Sequence, residues 1–126
     1  MSMQNPYNKY SNNNKVFTVP KEELTLILFD AAVKFSNQAI IAMENGDNDK
    51  INQFIVRAQN IVREFQLTLD KQYEISGQLD ELYEYIYTRL IEANVKKDIH
   101  ILTECRDMIR DLRNTWKEAM SLAKKK

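Results

Sequence analysis

A heptad pattern dominates residues 51–69, INQFIVRAQNIVREFQLTL. Its apolar positions follow one another at alternating steps of four and three, at Ile51, Ile55, Ala58, Val62, Phe65 and Leu69. This spacing places one apolar stripe along an α-helix, and the stripe must be buried against other helices. The same alternation recurs near the C-terminus, at Leu102, Cys105, Ile109, Leu112, Trp116, Ala119 and Ala123. The two segments therefore predict helices that pack together in a bundle.

Turn and cap signals divide the chain into four helices, predicted at about residues 20–44, 48–72, 78–95 and 98–123. Asn45-Gly46 is a C-cap signal for the first helix, and Ser76-Gly77 breaks the chain after the second. Asp47 or Asn48 can cap the second helix, and Asp98 can cap the fourth. Connections this short require consecutive helices to be antiparallel.

The predicted fold class is therefore all-α, an antiparallel up-down-up-down four-helix bundle that forms one domain over residues 1–126. The first 17 residues are rich in Asn and Tyr and have no amphipathic period. We predict that residues 1–17 form a mobile N-terminal arm. Tyr7 and Tyr10 within it carry large apolar rings, so the arm could also dock on the bundle.

Composition excludes several classes of protein. Eighteen basic and eighteen acidic residues give a net charge of zero, which argues against a nucleic-acid partner. Two Gly and two Pro are too few for a fold of many short strands. A single Cys excludes an internal disulfide framework. No apolar run approaches the ~18 residues of a membrane span. We expect a cytoplasmic protein without membrane insertion.

Candidate catalytic and metal-binding residues are few. His100 is the only histidine, which rules out the paired Glu-x-x-His motifs of di-iron bundles and a zinc site with several His ligands. A lone histidine on a bundle could accept a phosphoryl group, but Ile-Leu-Thr-Glu follows His100 in place of the expected Lys and Gly. Cys105 lies on the apolar stripe and is predicted to be a core thiol. The sequence therefore predicts no enzyme, no metal and no cofactor.

The first helix carries two apolar arcs, where packing on one side needs a single one. The arc predicted to face the core contains Leu24, Ile27, Leu28, Ala31, Phe35, Ala39 and Ala42. The second arc contains Leu26, Phe29, Val33 and Ile40. Val56 and Leu67 also lie off the apolar stripe of the second helix, and Ile91 lies off that of the third. The second arc could widen the core, form a groove for a partner helix, or pack under the N-terminal arm.

Four ordered strings resemble the family of the flagellar secretion chaperone FliS. They are Asn5-Pro6-Tyr7 with Tyr10, PKEELTLILF at residues 20–29, LYEYIYTRL at residues 82–90 and LRNTWKEA at residues 112–119. Two departures from the family pattern are visible. Val19 stands where a small hydroxyl residue often precedes the Pro, and Phe29 stands where Tyr is common.

The resemblance implies a bundle in the bacterial cytosol that binds the disordered C-terminal segment of flagellin at a 1:1 ratio. Such a chaperone prevents premature polymerisation and assists type III flagellar export, with the export gate as a further candidate partner. The family's paired tyrosines cover part of the binding site when flagellin is absent, and they match Tyr7 and Tyr10. The candidate flagellin-binding residues are then Tyr7, Tyr10, Leu26, Phe29, Val33, Ile40, Val56, Leu67 and Ile91.

The residues leave one alternative open, a structural or signalling bundle whose second arc mediates self-association. A chaperone is expected to be a monomer or weak dimer that takes up one partner segment. A self-associating bundle is expected to bury the arc in a concentration-dependent interface.

Overall fold

Four α-helices account for most of residues 19–124, the part of the chain that the computed structural model describes. The helices are α1 (Lys21–Glu44), α2 (Asn48–Leu67), α3 (Ile75–Lys96) and α4 (Ile99–Lys124). Packing joins α1 to α2 and α4, and α3 to the same two helices. The helices thus form a closed ring of four with no strand in the described range, which confirms the all-α four-helix bundle.

Aromatic contacts show the antiparallel direction of neighbouring helices. The Phe29 ring lies 4.4 Å from that of Phe65, and the Phe35 ring lies 6.4 Å from that of Phe54, measured between centroids. Residues later in α1 therefore meet residues earlier in α2. Hydrogen bonds across the α1–α4 and α2–α3 contacts show the same reversal.

The predicted helix caps are confirmed at the end of α1 and at the starts of α2 and α4. Gly46 has φ 68°, a conformation that suits glycine because it lacks a Cβ. The Asp47 carboxylate accepts a hydrogen bond from the Lys50 N–H at 3.2 Å. The Asp98 carboxylate accepts one from the His100 N–H at 2.8 Å. These side chains satisfy backbone donors that have no partner within the helix.

The connection between α2 and α3 is placed differently from the prediction. α2 ends at Leu67, before the expected end near residue 72, and α3 begins at Ile75. The Asp70 carboxylate accepts a hydrogen bond from the Gln72 N–H at 3.0 Å, and the Asp70 carbonyl accepts one from the Ser76 hydroxyl. Such local bonds compete with helical hydrogen bonds. They explain why the helix stops although the apolar pattern continues.

The core follows the predicted stripes of α2 and α4 for most of their length. The buried apolar residues are Phe29, Ala32, Ala39, Ala42, Ile51, Ile55, Ala58, Val62, Phe65, Tyr83, Ile86, Leu90, Ala93, Ile101, Leu102, Cys105 and Ile109. Ala119 and Ala123, also on the α4 stripe, are exposed. The Trp116 indole N–H donates to the Glu22 carbonyl at 2.9 Å, so α4 continues alongside the very start of α1 and has little left to pack against.

Lys97 ends α3 with φ 52° and ψ 44°, a left-handed conformation that costs a residue with a Cβ about 1 kcal/mol or more. We expect Lys97→Gly to raise the free energy of unfolding by about 1 kcal/mol. As the control, Lys96→Gly at the last helical position should lower it by up to about 1 kcal/mol. Urea unfolding followed by circular dichroism measures both changes. A destabilised Lys97→Gly protein would contradict the strain argument.

Candidate binding surface

The helix α1 is more apolar than the core requires. By length and composition it could cross a membrane, the one such helix in residues 19–124, although no such segment was predicted. Core helices of soluble proteins can have the same length and composition, yet only 28% of the residues in the most apolar 18-residue stretch of α1 are buried. Part of its apolar surface therefore lies outside the core.

Three large apolar side chains of α1 are exposed on one side of the helix. Leu24 is 49% exposed, Ile27 54% and Ile41 56%. The prediction that Leu24 and Ile27 face the core is therefore wrong, whereas Ala39 and Ala42 of the same predicted arc are buried as expected. Two arcs of similar apolar content cannot be ranked by periodicity, because periodicity does not report how closely a neighbouring helix approaches.

The second arc of α1 packs inward. Phe29 is 3% exposed and contacts Phe65, while Val33 and Ile40 are partly buried against the core. Leu26 is also partly buried. The interpretation that this arc widens the core describes the structure, and the groove interpretation is wrong at Phe29. Because Phe29 is buried among apolar groups, the absence of a tyrosine hydroxyl there leaves no polar atom unpaired.

The exposed side of α1 continues onto α2 through two phenylalanines. The rings of Phe35 and Phe54 are stacked with an interplanar angle of 17°, and the Arg57 guanidinium lies 5.5 Å from the first centroid and 5.9 Å from the second. We call this surface the α1–α2 face. It comprises Leu24, Ile27, Ala31, Phe35, Gln38 and Ile41 of α1, with Phe54, Arg57 and Ile61 of α2.

A cleft of about 200 Å³ lies at one end of the α1–α2 face, between Ile41 and Phe54 and beside the turn that joins the two helices. Gln38 lines this cleft, and its side-chain oxygen is buried without a hydrogen-bond partner in residues 19–124. An unpaired buried acceptor costs about 1–3 kcal/mol. A bound segment that supplied an N–H donor here would remove that cost.

Polar bridges cross the other three helix contacts but, among the described residues, none joins α1 to α2. Arg63 contacts Glu84 at 3.1 Å between α2 and α3, and Arg89 contacts Glu104 at 3.3 Å between α3 and α4. Between α1 and α4, Arg113 contacts Asp30 at 2.7 Å and Arg106 donates to the Asn37 side chain at 2.9 Å. The α1–α2 contact is therefore the apolar one, and its outer edge is open to a partner.

Hydrogen bonds at the α2–α3 bridge favour the charged form of the Glu84 carboxyl. The Gln66 amide and then the Arg63 guanidinium donate to Glu84, and they lower the pKa of this carboxyl. The Arg63 guanidinium also lies 3.7 Å from the Tyr87 ring centroid. This bridge is locally satisfied and offers no free charge to a partner.

Two predicted site residues lie level with each other on the α2–α3 surface. Val56 is 38% and Ile91 39% exposed. The Asn52–Asn94 hydrogen bond on one side and the Arg63–Glu84 contact on the other fix the register that places them opposite. Leu67 is more exposed, at 75%, but lies three turns away from Val56 at the end of α2. Tyr7, Tyr10 and the predicted arm lie outside the described residues.

The groups considered for chemistry are not brought together. Cys105 is fully buried, and burial is the main reason why the pKa of its thiol rises to about 12. It is therefore protonated at neutral pH and is not an activated nucleophile. His100 is exposed at the start of α4. Residues 19–124 contain no cluster of three or more His, Cys, Asp or Glu that could hold a metal ion.

We expect Asp substitutions to separate the two arcs of α1. Ile27→Asp should keep the helical circular dichroism signal, because the carboxylate stays in water at an exposed position. Val33→Asp should lower the free energy of unfolding by about 3 kcal/mol or more, because it places an unpaired charge against the core. Circular dichroism with urea unfolding measures both. A stable Val33→Asp protein, or an unfolded Ile27→Asp protein, would contradict the placement of Val33 against the core and of Ile27 at the surface.

Comparison with known proteins agrees with this architecture. The model of the family described as "Flagellar protein FliS" matches residues 3–123. The chain is 38% identical over 125 residues to the flagellar secretion chaperone FliS of Bacillus subtilis, covering 99% of this chain and 93% of that protein. The chain is 30% identical to the flagellar secretion chaperone FliS of Campylobacter jejuni, covering 92% of this chain and 93% of that protein. It is 28% identical to the flagellar secretion chaperone FliS of Salmonella typhimurium, covering 89% of this chain and 85% of that protein. The chain therefore belongs to the FliS family of flagellar secretion chaperones.

Proposed function

We propose that this protein is a cytoplasmic export chaperone that binds the disordered C-terminal segment of flagellin at a 1:1 ratio and acts without catalysis. Binding prevents premature polymerisation and keeps flagellin ready for the type III flagellar export gate. The observation that carries the proposal is the apolar, unbridged α1–α2 face, with Leu24, Ile27 and Ile41 about half exposed. Membership of a family of flagellar secretion chaperones supplies the kind of partner.

The α1–α2 face suits a segment that becomes helical when it binds. An amphipathic helix can lay apolar residues at steps of three and four into a shallow apolar surface. Complete burial of an Ile or Leu side chain contributes about 1.5–3 kcal/mol, so three half-exposed side chains supply part of a micromolar affinity. Ordering a disordered segment costs some of this gain.

Val56 and Ile91 provide a second apolar contact around the side of α2. A segment that leaves the α1–α2 face can turn across one end of α2 and reach this pair. Leu67 lies at one such end, where it would meet the turn. In this arrangement Leu26, Val33 and Ile40 do not contact the bound segment. They support the face by packing α1 against the core.

The chaperone proposal also explains how polymerisation is blocked. The apolar side chains that flagellin would use to pack against neighbouring subunits are buried on the bundle instead. Because the contact is non-covalent and shallow, release needs no chemical step. Export could then proceed as soon as the segment dissociates.

The first test is binding of a C-terminal flagellin fragment from the same organism, followed by light scattering and calorimetry. We expect a 1:1 complex of micromolar or tighter affinity and a monomeric free protein. Ile27→Asp should weaken binding by at least tenfold, because it places a charge in the apolar contact. Leu122→Asp on α4 is the matched control, since Leu122 is 58% exposed, and should change affinity little.

Absence of binding by the wild-type protein would overturn the chaperone proposal. A stable dimer that Ile27→Asp dissociates would instead support the self-associating bundle. Equal loss in the Ile27→Asp and Leu122→Asp proteins would move the contact away from the α1–α2 face.

The second test concerns the N-terminal arm. We propose that Tyr7 and Tyr10 occupy part of the flagellin site until flagellin displaces them. Covalent attachment gives the arm a high effective concentration, so a weak contact can compete. Deletion of residues 1–16 should raise flagellin affinity, and replacement of both tyrosines by Ser should act in the same direction. Calorimetric titration of the two variants and of the intact protein with the flagellin fragment shows whether affinity rises or falls. A lower affinity of the variants would mean that the arm clamps flagellin after binding.

A further inference from the structure

Two cations, one on the α1–α2 face and one beside it, lack a carboxylate partner within the described residues. The Arg57 guanidinium lies over the Phe35 and Phe54 rings, with no ion pair within 4.0 Å in residues 19–124. Lys34, next to Phe35 in the sequence, is exposed and likewise unpaired in that range. By contrast, four arginines at the other helix contacts each have a carboxylate within 3.3 Å, namely Arg63, Arg89, Arg106 and Arg113.

A third cation extends this row along α2. Lys50 precedes Arg57 by seven residues, which places the two on the same side of the helix about 10 Å apart. Its amine lies 3.9 Å from the Asp47 carboxylate, and both side chains are well exposed. An exposed pair at this distance contributes little, so Lys50 remains free to take another partner.

We propose that the α1–α2 face selects a segment that carries Asp or Glu side chains beside its apolar stripe, with Arg57 as the main specificity-determining residue. This inference rests on the proposed binding of flagellin at this face. The apolar residues supply affinity for any amphipathic segment. The cations then discriminate among such segments by charge.

The position of Arg57 explains why it would contribute more to the selection of an acidic segment than the two lysines. The Arg57 guanidinium lies within cation–π distance of both rings, 5.5 and 5.9 Å from their centroids, and its N–H groups stay available for hydrogen bonds. A carboxylate can therefore bind without displacing the side chain from the rings. Less side-chain freedom is lost than for a lysine, and the resulting bond is charge-assisted.

The spacing of the cations defines the acidic pattern. A helical segment that lies along α2 meets Lys50 and Arg57 with carboxylates seven residues apart. The next position in the row, another seven residues on, is Glu64, which is exposed and would repel a third carboxylate. The bound segment thus has its acidic part near the α1–α2 turn. A single terminal carboxylate cannot match cations spread over this distance.

The experiment measures binding of the flagellin C-terminal fragment to the full chain by fluorescence anisotropy at about 50 and 300 mM NaCl. Arg57→Gln should weaken binding about threefold to tenfold at low salt, with a smaller difference at high salt because exposed charges are screened. Lys34→Gln, which alters no ring contact of Arg57, should act in the same direction more weakly. Arg110→Gln removes the same charge from an exposed position on α4 and should have no effect.

Substitutions in the flagellin fragment provide the reciprocal test. Replacing its Asp and Glu by Asn and Gln should weaken binding to wild-type protein and make Arg57→Gln no worse than wild type. Unchanged or tighter binding by Arg57→Gln at low salt would overturn the inference while the chaperone proposal stands. So would a loss on amidation of the fragment's C-terminus without any effect of the Asp and Glu changes. Failure of the wild-type protein to bind any form of the fragment would overturn the chaperone proposal itself.

Discussion

The close packing of small side chains on the inner side of α1 determines which of its large apolar residues are buried and which lie at the surface. Ala32, Ser36 and Ala39 are completely buried, and the Ser36 hydroxyl is satisfied by donating to the Ala32 carbonyl at 2.8 Å. Small residues let neighbouring helices approach closely. The larger aliphatic residues of α1 are then displaced to its flanks, and Leu24 and Ile27 reach the surface. The exposed α1–α2 face is therefore a consequence of how the core is closed.

The other helix contacts make this exposed face tolerable. Ion pairs and hydrogen bonds join α2 to α3, α3 to α4 and α4 to α1. They fix register at three sides of the ring, so α1 and α2 stay in place although no polar bridge joins them in the described residues. If the face accepts a flexible segment as proposed, this fixed base reduces the order that has to be created on binding.

Sequence predicted the bundle well and the face poorly. The steps of four and three from Ile51 to Phe65 required a buried stripe, and that stripe is the core of α2. Periodicity could not rank the two arcs of α1, because both are apolar and the deciding factor is the small size of residues such as Ala32. The pairing of Val56 with Ile91 depends on helix register, and the cation–π contact of Arg57 depends on two rings from different helices. Both are tertiary properties.

Charge on the α1–α2 face also bears on the choice between a chaperone and a self-associating bundle. In a twofold dimer whose axis passes near Arg57, the Arg57 guanidinium groups of the two copies would approach each other. Bringing like charges together across an apolar contact is unfavourable, and desolvation makes it more so. The apolar side chains alone would permit both kinds of association. Under the proposed selectivity, repulsion between the two Arg57 side chains disfavours such a dimer, whereas an acidic segment would meet complementary charge on the same face.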